Sequence, residues 1–232
     1  MEGLRLKYLY VVAHPDDEVL GAGGSIFRFA ERGNQVSVCF MSGDVRARAG
    51  RPEDFELNND ICAGLDVLGV SNVIKGCFPN IEFNVIPHLQ LVQFVENVVI
   101  SSDADVVITH HPSDSNNDHL HTFLACQAAI RLFQRRSDVK PLNELWLMEV
   151  LSASEWSVNS ALNRFSPNTY IEIGETGVEQ KIKALNCYKG VMRDYPHPRS
   201  NETIKGLAAY RGSQAGIRYA EAFECVFRRI TT

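Results

Sequence analysis

The chain has 232 residues, 45% of them hydrophobic and 22% charged, with a formal net charge of −5, a profile that suits a globular α/β protein able to bury a sizeable core. A net negative chain argues against a broad polyanion-binding surface, so nucleic acid is not an expected partner. No apolar run approaches the roughly 18 residues of a membrane span, residues 1–7 are too polar for a signal peptide, and six dispersed cysteines without a Cys-x-x-Cys pair predict buried free thiols in a cytoplasmic setting rather than a disulfide framework.

Residues 6–12 read as a strand that ends in Ala13-His14-Pro15-Asp16-Asp17-Glu18. Pro15 fixes its own φ and biases His14 toward extended backbone, so the strand stops there. Three adjacent carboxylates repel and raise one another's pKa unless a cation sits among them. If a helical turn follows, His14 and Asp17, three apart, converge on one point while Asp16 aims elsewhere. An imidazole and a carboxylate with open positions form a zinc-type half-site, and an unligated carboxylate beside it is a candidate general base. Gly21, Gly23 and Gly24 follow as a turn, and apolar residues at helical spacing over 24–32 predict a helix closed by Gly33.

A second strand is predicted over 35–41, apolar enough for a sheet covered on both faces. The loop 42–52 carries Arg46, Arg48 and Arg51; at a strand's carboxyl end it would line the crevice of such a fold, which makes Arg51 a candidate substrate-binding residue. A helix over 53–68, a strand over 72–78 and a helix over 87–101 lead to a fourth strand over 104–109, ending in His110-His111-Pro112. Alternating β and α units with near-continuous apolar strands predict a parallel sheet with helices on both faces, with ligands outside the strands' carboxyl ends, and no linker is long enough to split the chain into domains.

The second chemical stretch is Ser113-Asp114-Ser115-Asn116-Asn117-Asp118-His119-Leu120-His121, feeding a helix over 122–135. His119, near that helix's start, is a candidate third ligand opposite His14 and Asp17, whereas His121, two residues on, points away. Strands over 144–151 and 169–173, a helix over 178–191, a stiff turn at Tyr195-Pro196-His197-Pro198-Arg199, a helix over 200–211 capped by Ser200, and a final strand over 220–230 complete the chain.

The blocks 13–18 and 114–119, with Pro196-His197-Pro198-Arg199-Ser200 and Tyr219-Ala220-Glu221-Ala222-Phe223, resemble the LmbE/PIG-L family of zinc-dependent N-deacetylases in the expected order along nearly the whole chain. The resemblance implies a single Rossmann-like three-layer α/β domain spanning 1–232 with a mostly parallel sheet, in which His14, Asp17 and His119 bind zinc and Asp16 takes a proton from zinc-bound water during removal of acetyl from an N-acetylglucosamine-type sugar or sugar conjugate. Many members carry a histidine three residues before the last ligand to help stabilise the oxyanion; here that residue is Asn116, and the substitutes on offer are Asn116 itself, His197, or His110 and His111. Asn116 and His197 join Arg51 as candidate substrate-binding residues. Two other readings stand beside this one: a non-catalytic Rossmann-like sugar or nucleotide binding module, invited by Gly21-x-Gly23-Gly24 although that is not Gly-x-Gly-x-x-Gly, and a metal-dependent amidase with a non-sugar substrate. A homo-oligomer is compatible with all three.

Overall fold

The computed structural model of the chain describes residues 5–45, 52–158 and 164–231. Among the described residues seven strands form one sheet in the order β3-β2-β1-β4-β5-β7-β6. β1 (Lys7–Val12), β2 (Gln35–Phe40), β3 (Asn72–Lys75), β4 (Val106–His110) and β5 (Glu144–Met148) run parallel. β7 (Ala220–Arg228) runs antiparallel to both β5 and β6 (Thr169–Glu172). Successive side chains on a strand face opposite sides, and β1 shows the consequence. Tyr8, Tyr10 and Val12 enter one core with Val38 and Phe40 of β2, under α1 (Asp17–Glu31), α2 (Asp54–Val67), α5 (Gly174–Cys187) and α6 (Asn201–Gln214). Leu9, Val11 and Ala13 enter the other, with Cys39 and Met41, under α3 (His88–Ser102) and α4 (Asn117–Ala129). The result is the expected three-layer α/β arrangement.

The chain builds β2 and β3 on one side of β1 and then crosses back to place β4 on its other side. Such a reversal leaves a crevice outside the carboxyl ends of the two flanking strands. The loops that leave β1 and β4 carry the two chemical stretches, so topology brings them together although they lie about a hundred residues apart.

Several boundaries differ from the sequence reading. α1 starts at Asp17 rather than at 24 and contains the three glycines, kinked at Ala22 (φ −147°). These glycines serve close packing, not a turn: a Cβ on Gly21 would lie 2.5 Å from Met148 Sδ, and one on Gly24 2.8 Å from Ile173 Cδ1. α4 starts at Asn117 instead of 122, and α5 at Gly174 instead of 178. A short 3-10 turn, Phe83–Val85, was not legible in the sequence. Only Cys39 and Cys126 are buried; Cys62 lies on the outer face of α2 and Cys77 in the loop after β3, both exposed, and all six thiols are free. No helix among the described residues is long and apolar enough to cross a membrane.

The kink in α1 frees backbone donors, and the Glu221 carboxylate accepts them, from Gly24 N–H at 3.0 Å and Ser25 N–H at 2.6 Å. Lys181 Nζ, equally buried, pairs with the same carboxylate at 2.7 Å. Removing one partner of such a pair strands a buried charge, at a cost of about 3–5 kcal/mol. Glu221→Ala is therefore expected to lower the unfolding free energy by about that much, read as a shifted urea midpoint at unchanged slope. A loss under about 1 kcal/mol would show that water replaces the carboxylate.

Candidate metal centre and active site

Where β1 ends, Ala13 N–H donates to His110 Nε2 at 2.9 Å, which ties the first loop to the tip of β4. After Pro15 the chain turns sharply. Asp16 has φ 108°, in the left-handed region that favours glycine, the kind of strain stored at working sites. The Glu18 carboxylate holds the turn: its Oε2 accepts Asp16 N–H at 3.1 Å and its Oε1 accepts the Tyr188 hydroxyl at 2.5 Å. Burial pushes the Glu18 carboxyl up to about 8, against the lowering effect of the Tyr188 hydrogen bond. α1 opens at Asp17, where acidic residues complement the helix dipole.

Three donor atoms converge here. His14 Nδ1 lies 3.4 Å and His119 Nε2 3.2 Å from Asp17 Oδ2, and the three residues are buried with their ligand atoms mutually within 4.8 Å. Donors held about 2.0–2.2 Å from a tetrahedral zinc stand roughly 3.3 Å apart, so the spacing fits that ion. The far nitrogen of each ring meets its own carboxylate. His14 Nε2 lies 2.9 Å from Asp118 Oδ2, and Asp118 is in turn fixed by Ile81 N–H at 2.6 Å and Phe83 N–H at 3.0 Å. His119 Nδ1 lies 3.1 Å from Asp114 Oδ2, while Asp114 also accepts Asn116 N–H and the Ser154 hydroxyl. Carboxylate–histidine pairs of this kind fix ring orientation and raise ligand basicity in zinc sites. Neither nitrogen of His119 makes a well-directed hydrogen bond among the described residues despite full burial. A metal ion held at this point would satisfy Nε2.

The electrostatics agree. Burial opposes charge on His119, but Asp17 and Asp114 more than offset it and carry its pKa up to about 10. Burial likewise pushes Asp17 upward, and the surrounding imidazoles, His119 foremost, instead hold it well below the usual carboxylate range. Asp17 and Asp114 thus favour positive charge at this point. His110 does not provide it: burial and repulsion from His119 press it down to about 3, and it stacks as a neutral ring on His119 at 3.8 Å.

A cavity of about 510 Å³ opens onto the centre, lined in part by His14, Asp16, Asp17, Asn116 and His119. Asp16 stands beside the ligand set but outside it, with Arg199 Nη1 at 3.2 Å from its Oδ2. Asn116 is the N-cap of α4, its Oδ1 accepting Asp118 N–H at 2.9 Å. His197 is exposed and does not line this cavity; its Nδ1 accepts Arg199 N–H at 3.0 Å, and it is Arg199 that reaches the site. Arg51, with Arg46 and Arg48, lies outside the described residues. His111 faces away from the centre, into a larger, mostly apolar groove of about 680 Å³ where it meets Ser113 and Glu224. Sequence reading did not single out Asp114, Asp118 or Arg199. The signal for Asp118 was its place next to His119; for Arg199 it was the rigid Pro-His-Pro turn that presents it.

Residues 9–130 match the family model described as PIG-L, GlcNAc-PI de-N-acetylase. The chain is 29% identical over 135 residues, 55% of its length and 69% of the other protein, to the uncharacterized deacetylase YaiS of Escherichia coli K12. Its fold is similar to that of N,N'-diacetylchitobiose deacetylase from Pyrococcus horikoshii (TM-score 0.76, 17% identity, covering 95% of this chain and 84% of that one). It is also similar to GalB, the 4-carboxy-2-hydroxymuconate hydratase of Pseudomonas putida KT2440 (TM-score 0.76, 23% identity, 98% and 99% covered).

Proposed function

The chain belongs to the PIG-L family of de-N-acetylases, and from that premise we propose that it is a zinc-dependent hydrolase removing an N-acetyl group from an N-acetylglucosamine-type sugar or sugar conjugate. The observation that carries the reading is the buried convergence of His14, Asp17 and His119 with a non-ligand carboxylate, Asp16, at its edge. Those three residues would hold the ion, which when bound polarises the amide carbonyl and acidifies water. Asp16 accepts the proton of the attacking water and returns it to the departing amine. Glu18 keeps the Asp16 backbone in its strained turn through the hydrogen bond to Asp16 N–H. Asp118 and Asp114 keep the two imidazoles aimed. The cavity walls supply Asn80, Ser115, Asn116, Asn117 and Ser152, amides and hydroxyls suited to the hydroxyl groups of a pyranose, and its volume lies in the range of small-molecule sites.

The binding-module reading loses its main support, because the glycine-rich stretch lies inside α1 and packs against Met148 and Ile173. A non-sugar substrate is the second reading, favoured by the similarity to a hydratase, which shows one fold carrying more than one reaction. The test is release of acetate and free amine from a panel of N-acetylglucosamine derivatives by zinc-loaded protein, with and without a chelator. Chelator-sensitive release is expected from at least one. If none is hydrolysed while a simple N-acetyl amine is, the sugar assignment fails.

A further inference from the structure

In the proposed reaction negative charge gathers on the amide oxygen, and the side chains around the cavity limit what can meet it. His110 is excluded: its Nε2 accepts Ala13 N–H and its ring is stacked behind His119, away from the cavity. His111 lies in the other groove, against Ser113 and Glu224. His197 is exposed, its Nδ1 occupied by Arg199 N–H. Asn116 has committed its carbonyl to capping α4, which leaves a neutral NH₂ group.

Arg199 remains, the one lysine or arginine among the described residues that line the cavity. Its guanidinium is fixed on two sides: Nε donates to Ser152 Oγ at 2.6 Å and Nη1 to Asp16 Oδ2 at 3.2 Å. Its backbone is fixed too, with Arg199 N–H on His197 Nδ1 and Arg199 carbonyl accepting Arg193 N–H at 3.3 Å. Nη2 has no hydrogen-bond partner among the described residues. A permanent cation, oriented before the reaction and holding spare N–H groups beside the base, is the arrangement that stabilises a developing oxyanion most effectively. A guanidinium can serve two acceptors at once through its planar fork, which a lysine ammonium cannot do in the same geometry.

We propose that Arg199 is the charged donor of this reaction, hydrogen-bonding the amide oxygen through its spare Nη groups while Nη1 stays on Asp16. The inference rests on the deacetylase reading above and deepens it. As the water oxygen bonds to the carbonyl carbon, the C=O π pair moves onto the amide oxygen and the water proton passes to Asp16. On collapse the C–N bond breaks, its electron pair goes to nitrogen, and Asp16 returns the proton, giving acetic acid and amine, which become acetate and ammonium when the acid's proton passes to the amine. Arg199 gains and loses no proton; its contact with the oxygen strengthens as charge builds there.

The test compares zinc-loaded wild type with Arg199→Met, Arg199→Lys and Arg199→Ala, each checked for zinc content and thermal unfolding. Kinetics use whichever acetamido sugar wild type hydrolyses, and calorimetry uses methylphosphonate, a tetrahedral anion shaped like a hydrated acetyl group. Both Arg199→Met and Arg199→Lys are expected to keep zinc, to lose about 10²-fold or more in kcat with little change in KM, and to bind methylphosphonate at least about tenfold more weakly. Millimolar guanidinium is expected to restore part of the activity of Arg199→Ala, which a purely structural role would not allow. Asn116→Ala is expected to lose less kcat than Arg199→Met. Equal methylphosphonate affinity in wild type and Arg199→Met, or no binding by either, overturns the proposal; so does a loss confined to KM, or a kcat collapse in Asn116→Ala alone. If wild type hydrolyses nothing in the panel, the deacetylase reading fails, and the methylphosphonate comparison still decides on Arg199 separately.

Discussion

His119→Ala is expected to abolish the proposed stoichiometric zinc binding and the activity, while His121→Ala keeps both. His119 contributes the third donor, Nε2, within reach of Asp17 Oδ2 at 3.2 Å, and its removal leaves two ligands where structural and catalytic zinc sites use at least three. His121, on the same helix, is half-buried and outside the ligand set. The carboxylates behind the rings grade the effect. Asp118→Asn retains every ligand but weakens the partner of His14 Nε2 at 2.9 Å, so zinc affinity is expected to fall about 10–100-fold rather than vanish. Metal analysis of dialysed protein, followed by competition with a chromogenic chelator, measures both. Full zinc occupancy in His119→Ala would refute the assignment of the centre.

The parallel sheet was legible because its central strands are buried on both faces, so β1, β2, β4 and β5 stand out as apolar runs to within a few residues of their ends. Helix starts were less legible where function or close packing dictates sequence. The first turns of α1 and α4 carry Asp17 and Glu18, and Asp118 and His119, which are buried polar residues rather than an amphipathic stripe. Gly21 and Gly24 read locally as a break, yet the contacts with Met148 and Ile173 that require their small size lie far off in sequence. Tertiary packing overrides local propensity at such positions.

The site divides the same way. His14, Asp16, Asp17 and His119 fall in two compact blocks whose chemistry is costly to hold without a cation, so residue type and spacing single them out. The supporting carboxylates are ordinary in sequence and acquire meaning through contacts such as His14 with Asp118, 104 residues apart. Arg199 is 183 residues from Asp16, and only the return of the chain after α5 brings its turn over the crevice. His197, its more conspicuous neighbour, drew the candidate role on side-chain chemistry alone; its ring is exposed and outside the cavity lining, and it meets Arg199 N–H instead.

Asp16→Asn is expected to keep the fold and the zinc and to lose turnover by roughly 10²-fold or more, the usual loss for a missing general base. The substitution is suited to the question because asparagine tolerates positive φ better than most residues, so the strained turn at φ 108° can persist. The asparagine carbonyl can still accept from Arg199 Nη1, now 3.2 Å from Asp16 Oδ2, and the ligand set of His14, Asp17 and His119 is unaltered. What disappears is the capacity to take a proton from the attacking water, so kcat and kcat/KM should fall together with little change in substrate affinity. Glu18→Gln is the comparison. It disturbs the hydrogen bonds that brace the turn, to Asp16 N–H and the Tyr188 hydroxyl, and it removes no group that contacts substrate. A smaller kinetic effect and a measurable loss of thermal stability are expected from it. Steady-state kinetics on both variants, with zinc content confirmed for each, decide the matter. If Asp16→Asn turned over near the wild-type rate in a zinc-loaded, folded protein, Asp16 would be a residue of the turn and the base would have to be sought elsewhere in the cavity.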